Sequence, residues 1–165
     1  MDRAHSRGAW LLFSVAGVAY VADRVTKLWA ERSLIDAPID VIDGVLTLRF
    51  TTNSGGAFSI GGSTPWIFVT ASVLVIGIIV ATSFRHTGLA SAAAVGLILG
   101  GALGNLTDRA IRGDGFRGRV VDFIDVHVWP IFNLADTAIV LGAVMLALGS
   151  LVDGRHAEAE PADDG

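Results

Sequence analysis

Two aspartates, Asp122 and Asp136, stand where carboxylates are costly. Both fall in residues 119–139, RVVDFIDVHVWPIFNLADTAI, with Asp122 among apolar neighbours and Asp136 at the head of a long apolar segment. On insertion scales a charged carboxylate inside a membrane segment costs roughly 2.5–3.5 kcal/mol, so a pair of them implies a use. Two carboxylates brought together cannot both ionise comfortably; they share a proton and their apparent pKa values separate. The ionised member can activate water as general base, while the protonated one donates to a carbonyl oxygen and later assists a leaving amine. That is the logic of aspartic proteolysis, and it needs neither metal nor cofactor. Asn133, three residues before Asp136, shares its face on a helix. Asn53 and Asn105 can add amide donors and acceptors for a bound peptide.

Each of these residues also has a plainer account. Asp136 is a helix N-terminal acid favoured by the dipole, and Asp122 a loop residue paired with Arg119. Asp108 beside Arg109 reads as structural ion pairing, and Asp23 with Lys27 as an i,i+4 pair. His127 reads as a structural interfacial histidine and Asp125 as exposed. Two other chemistries compete. Lys27, the only lysine, could form a Ser–Lys dyad with Ser54 or Ser59, although neither serine sits in a recognisable nucleophile turn. A proton-coupled transporter would also bury aspartates, but nearer the midplane of its helices. A chain without cysteine has no thiol nucleophile or thiolate metal site, and no HExxH motif is present.

The elements that must position these residues follow from hydropathy. In 165 residues, 52% are hydrophobic and only 17% charged, which marks a membrane protein of one domain. The net charge of −4 and the lack of a basic patch speak against nucleic acid as a partner. Apolar spans are expected at about 9–30, 65–84, 89–106 and 131–152, each long enough or nearly so for the hydrocarbon core. The first could be a cleaved signal peptide, but it has no small-x-small cleavage site and reads as a retained span. Residues 31–64 form a water-facing segment in which Leu46, Leu48 and Phe50 alternate with Thr47 and Arg49, the period of a strand. Residues 107–119 read as a loop, 120–128 as a short strand or interfacial segment, and 153–165 as a disordered acidic tail. Gly96, Gly100 and Gly104 make a small-residue stripe for close helix packing.

The expected fold is therefore an integral membrane, mainly α protein, with four transmembrane helices and a small β unit between the first two. Parity of four spans gathers Asp23, Lys27, Asn53, Asn105, Asp108, Arg109, Asp122, Asn133 and Asp136 at one membrane face. The distribution of arginine and lysine, counted by the positive-inside rule, puts the termini on the outer side.

Five stretches occur together in order: Asp23-Arg24-Val25-Thr26-Lys27, Asn53-Ser54-Gly55-Gly56-Ala57-Phe58-Ser59, Gly101-Ala102-Leu103-Gly104-Asn105-Leu106-Thr107-Asp108-Arg109, Val120-Val121-Asp122-Phe123-Ile124, and Phe132-Asn133-Leu134-Ala135-Asp136. With them the chain resembles the lipoprotein signal peptidase family, also called signal peptidase II, over nearly its full length. The resemblance implies an aspartic endopeptidase of the bacterial inner membrane, acting among membrane lipid; a monomer is the expected state. It would cut the signal peptide from a prolipoprotein just before a cysteine that carries diacylglycerol. Asp122 and Asp136 would be the catalytic pair, and Asp23, Lys27, Asn53, Asn105, Asp108, Arg109 and Asn133 would hold substrate or support the pair. It also implies cytoplasmic termini and a site at the outer face, opposite to the charge count. Residues 31–64 would clasp the substrate from the water side, with Phe58 and Trp66 at the boundary. Two positions depart from the family pattern, Arg24 where glutamine is common and Gly56 where alanine is common. Arg24 puts a charge near the site that could meet a lipid head group.

Overall fold

The computed structural model describes residues 3–54, 65–83 and 88–159. Gly56, Phe58 and Ser59 lie outside the described residues. The first helix, α1, spans Arg3–Ser33 and is followed by two strands, β1 (Ile39–Ile42) and β2 (Leu46–Asn53). Helices α2 (Pro65–Thr82) and α3 (Leu89–Ile111) come next, then a single 3-10 turn at Asp114–Phe116, a third strand β3 (Val120–Asp125), and α4 (Leu134–Ala159).

Helix α3 is central, with α1 on one side and α4 on another. Its glycines make this possible. A Cβ on Gly96 would lie 2.5 Å from the Leu12 carbonyl oxygen, and one on Gly100 equally close to that of Ala16. Gly101 faces the Ala135 carbonyl of α4 in the same way. The expected stripe thus faces α1, and Gly101 beside it faces α4, in each case allowing close approach of the helices. Around it Leu12, Ala16, Ile79, Ala92, Val95 and Leu99 form the apolar core.

Segments Ser6–Ser33, Leu89–Ile111 and Leu134–Val152 are long and apolar enough to cross a membrane; the Val69–Thr82 part of α2 is apolar but shorter. The outward faces of α2 and α4 expose Ile67, Leu74, Ile78, Val140, Leu141 and Leu148. Such continuous apolar surface belongs against lipid rather than water.

Several boundaries differ from the sequence expectation. Helix α3 runs to Ile111, so Asp108 and Arg109 are helical rather than in a loop. Charged residues do not end a helix when their heads find partners, and the chain turns only near Gly113, where α3 is already complete. Helix α4 starts at Leu134, because residues before it bridge to the sheet through Ile124 and Phe132. It continues to Ala159, through helix-favouring alanine, glutamate and arginine, beyond the boundary placed at 152.

The β unit is also larger than expected. It is a three-stranded antiparallel sheet in the order β1-β2-β3, whose third strand comes from between α3 and α4. The alternating Leu48 and Phe50 of β2 join Phe123 of β3 in covering Ala30 and Leu34 at the end of α1. Trp29 meets Phe123 edge to face, with ring centroids 6.4 Å apart. The sheet is thus seated on α1, and its other face is free to carry polar residues towards α3 and α4.

Candidate active site

Asp122 lies in β3 opposite Thr51, and Asn53 lies opposite Val120. In an antiparallel pair these residues share one face of the sheet, so Asn53 and Asp122 are diagonal neighbours. Asp136 is in the first turn of α4, and Asn133 immediately precedes that helix. Asn133 Oδ1 accepts the Asp136 backbone N–H at 2.9 Å, and Asp136 Oδ2 accepts the Asn133 N–H at 3.3 Å. This reciprocal pair is a capping box with asparagine and aspartate in its two positions. The Asn133 amide also donates to Asp122 Oδ1 at 2.7 Å, so one buried side chain ties the two aspartates together.

Behind them lies a dense polar layer. Asn105, from α3, donates to Asp136 Oδ1 at 2.8 Å, and its own oxygen accepts from Lys27 Nζ at 2.8 Å and Asn133 Nδ2 at 3.2 Å. Lys27 is fully buried and also meets Asp23 Oδ2 at 2.9 Å and Asp108 Oδ2 at 3.2 Å. Its ammonium thus has one hydrogen bond to an amide oxygen and two carboxylates beside it. The other oxygen of Asp23 accepts the Ala135 N–H at 3.0 Å, so α1 caps the start of α4. Asp108 accepts from Arg24, from Arg112 Nε at 2.9 Å and from the Val121 N–H at 3.2 Å. Arg112 in turn joins Glu31 at 2.5 Å, linking the ends of α3 and α1.

A cavity of about 380 Å³ opens in front of this layer, lined by Asn53, Asn105, Arg109, Asp122 and Asp136 among polar residues and by Trp129 and Phe132 among apolar ones. Arg109 is buried and attracted to Asp136, Asp122 and Asp108. Burial, and then the charge of Asp136, push the Asp122 carboxyl up to about 7; hydrogen bonds from Asn133 and Asn53 and the charge of Lys27 pull against that rise. A protonated carboxyl and a second carboxyl facing one water-accessible cavity are the ingredients of general acid–base hydrolysis.

The structure brings the nine candidate side chains into one connected assembly: five line the cavity, Lys27 and Asn133 bond to residues that do, and Asp23 and Asp108 pair with Lys27 behind them. Some plain accounts change. Asp122 is a strand residue bonded to Asn133, while Arg119 reaches Thr52. Asp108 pairs with Lys27, Arg24 and Arg112, besides the charge of its neighbour Arg109. Arg24 likewise points its charge into this network. Asp125 is buried rather than exposed; the His127 backbone N–H, followed by Arg49, holds its carboxyl below the usual range. Glu31, Arg112 and Trp129 were not anticipated. The first two are ordinary surface charges in sequence, and only the meeting of two helix ends reveals them. Trp129 carried a signal in its place between Asp122 and Asp136.

This fold is that of a bacterial membrane enzyme. A solved structure described in those words superposes with a TM-score of 0.80 at 26% identity, covering 92% of this chain and 94% of that one. A second, described likewise, gives 0.73 at 27% identity, covering 85% and 92%. The family model described as signal peptidase (SPase) II matches residues 15–152. The lipoprotein signal peptidase of Rhodococcus jostii is 40% identical over 86% of this chain and 73% of its own length. That of Syntrophomonas wolfei is 40% identical over 84% and 91%, and that of Mycobacterium tuberculosis 38% identical over 90% and 78%. The chain belongs to the signal peptidase II family and is therefore a membrane peptidase.

Proposed function

We propose that this protein is an aspartic endopeptidase that removes signal peptides from diacylglyceryl-modified prolipoproteins, cleaving before the lipidated cysteine. The observation that carries the reading is that Asp122 and Asp136 line one cavity while Asn133 is bonded to both. The names of the relatives supply the substrate class. Both oxygens of Asp136 accept N–H hydrogen bonds, from Asn105 and Asn133, whereas Asp122 has a carboxyl that holds its proton to about pH 7. In the mechanism Asp136 takes a proton from water, which attacks the scissile carbonyl. Asp122 gives its proton to the carbonyl oxygen. Collapse of the tetrahedral intermediate returns that proton to Asp122, and Asp136 passes the proton it took to the leaving amine. Atoms balance with one water consumed.

The rival chemistries fit less well. A Ser–Lys dyad needs a lysine turned to a serine, yet Lys27 is occupied by Asp23, Asn105 and Asp108. A transport path would run between the helices, whereas Asp122 stands on a strand outside them. In this reading α2 makes a fourth span, both termini are cytoplasmic, and the cavity opens at the outer face of the inner membrane. The opposing charge count loses its force because Arg24, Lys27, Arg49 and Arg112 have structural work in ion pairs and Arg109 in the cavity wall. Their presence on that side is explained by the network and not by topology. The test is incubation of the purified protein with a diacylated prolipoprotein and mapping of the product by mass spectrometry. Cleavage directly before the modified cysteine supports the reading; proton or solute flux in liposomes without cleavage contradicts it.

A further inference from the structure

The chain between β3 and α4 supplies a wall of the cavity that takes no part in the chemistry above. Trp129, in this segment, lines both the cavity and a neighbouring groove of about 480 Å³, as do Phe132, Asp136 and Val140. Past Asp136 the groove is floored by Val140, Leu141 and Val144 on the outward face of α4. Those three are 62%, 50% and 48% exposed, so the groove opens along the helix surface that faces lipid. Its polar lining besides Asp136 is Thr137, whose hydroxyl already donates to the Asn133 carbonyl. An indole at this junction stands where a peptide in the cavity would meet an apolar group in the groove.

The segment holding Trp129 is fixed at its root. His127 has φ 62°, a left-handed conformation that a residue other than glycine keeps only where its surroundings hold it. Its backbone N–H donates to Asp125 Oδ1 at 2.8 Å, and Arg49 holds the other Asp125 oxygen at 2.6 Å. The Thr47 hydroxyl gives its one proton to Asp40 at 2.7 Å, so the 3.0 Å contact with His127 Nε2 is a ring N–H donating to Thr47. All three strands thus contribute to holding one turn.

We propose that Trp129 is a specificity-determining residue that seats, in the α4 groove, an acyl chain carried by the residue after the scissile bond. Thr47 and His127 are positioning residues that aim it. The inference rests on the peptidase reading. The cavity and groove are continuous through Trp129, Phe132, Asp136 and Val140, which suits an apolar group attached next to the bond being cut and reaching out towards lipid, and in the peptidase reading that group is the acyl chain.

The test compares the purified full chain on prolipoproteins whose cysteine carries dioctanoyl or dipalmitoyl glycerol. Wild type is expected to show the lower KM for the palmitoyl substrate. Trp129→Ala should raise that KM by about tenfold, with kcat nearly unchanged and little effect on the octanoyl substrate. Trp129→Phe should keep most of the preference. Thr47→Val should shift KM in the same direction by less, and Thr47→Ser should restore it. An unaltered chain-length preference in Trp129→Ala overturns the inference, and wild-type behaviour of Thr47→Val overturns the positioning role. Failure of wild type to cleave either substrate overturns the peptidase reading itself.

Discussion

Helices α1 and α3 approach closely at Gly96, Gly100 and Gly104, but the two ends of this glycine stripe hold different material. At Gly96 and Gly100 the neighbours are backbone carbonyls and the side chains of Val15 and Ala19. At Gly104, the next step of the stripe, the neighbour is the carboxylate of Asp23. The first region is close-packed hydrocarbon, whose stability sums many small contacts. The second is a network of charges, where every head has partners and the loss of one leaves another buried and unpaired. The same device, a missing Cβ, serves packing at one end and makes room for a buried carboxylate at the other. Damage to the two ends should therefore read out differently.

Lys27→Met is the strongest way to break the polar end. It leaves Asp23 without its cation, while Asp108 keeps Arg24 and Arg112. A loss of stability on the order of 3–5 kcal/mol is expected, measured by unfolding in detergent. Gly104→Ala comes next. Its methyl meets Asp23, which is pinned by Lys27 and the Ala135 N–H, so α4 and Asp136 shift with it. A fall in kcat of roughly 100-fold is expected from a displacement near 1 Å. Gly96→Ala sharpens the contrast, because its methyl collides with the Leu12 carbonyl far from the cavity. It should cost about 1–3 kcal/mol of stability and leave kcat per folded molecule intact.

The pH dependence is subtler. With Asp122 held at about 7, against an ordinary value of 3.8, the folded chain keeps a proton that the unfolded chain has already lost. Stability should thus fall as pH rises between those values and level off above the higher one. Asp122→Asn should flatten that decline in a series of thermal unfolding curves. The smallest effect belongs to Glu31→Gln at the partly exposed pair with Arg112, worth about 0–1 kcal/mol and suppressed by salt.

Legibility in the sequence followed the same division. Asp122 and Asp136 stood out because charge among apolar residues is expensive whatever the fold, and the spans because hydropathy is a local property. The strand in β2 was readable from Leu46, Leu48 and Phe50. What failed to show was whatever depended on distant pairing. Residues 120–128 looked equally like a strand or an interfacial segment until β2, some seventy residues away, supplied the partner. Asp108 and Arg109 looked like a loop because most of the charges that meet them lie on α1, β3 and α4. The burial of Asp125 depends on Arg49 and on a turn at His127 that no local pattern announces. The position that signalled a helix-terminal acid also signalled a site carboxylate, and Asp136 both caps the start of α4 and lines the cavity.

The central claim is that Asp122 and Asp136 act as one pair. It is tested most directly by the single-turnover rate of prolipoprotein cleavage for wild type, Asp122→Asn and Asp136→Asn, each confirmed to be folded. The pair predicts that each substitution alone lowers the rate by at least about 1,000-fold, and that the double variant is scarcely worse than either, as expected for groups acting as a unit. Full cleavage by either single variant would contradict it.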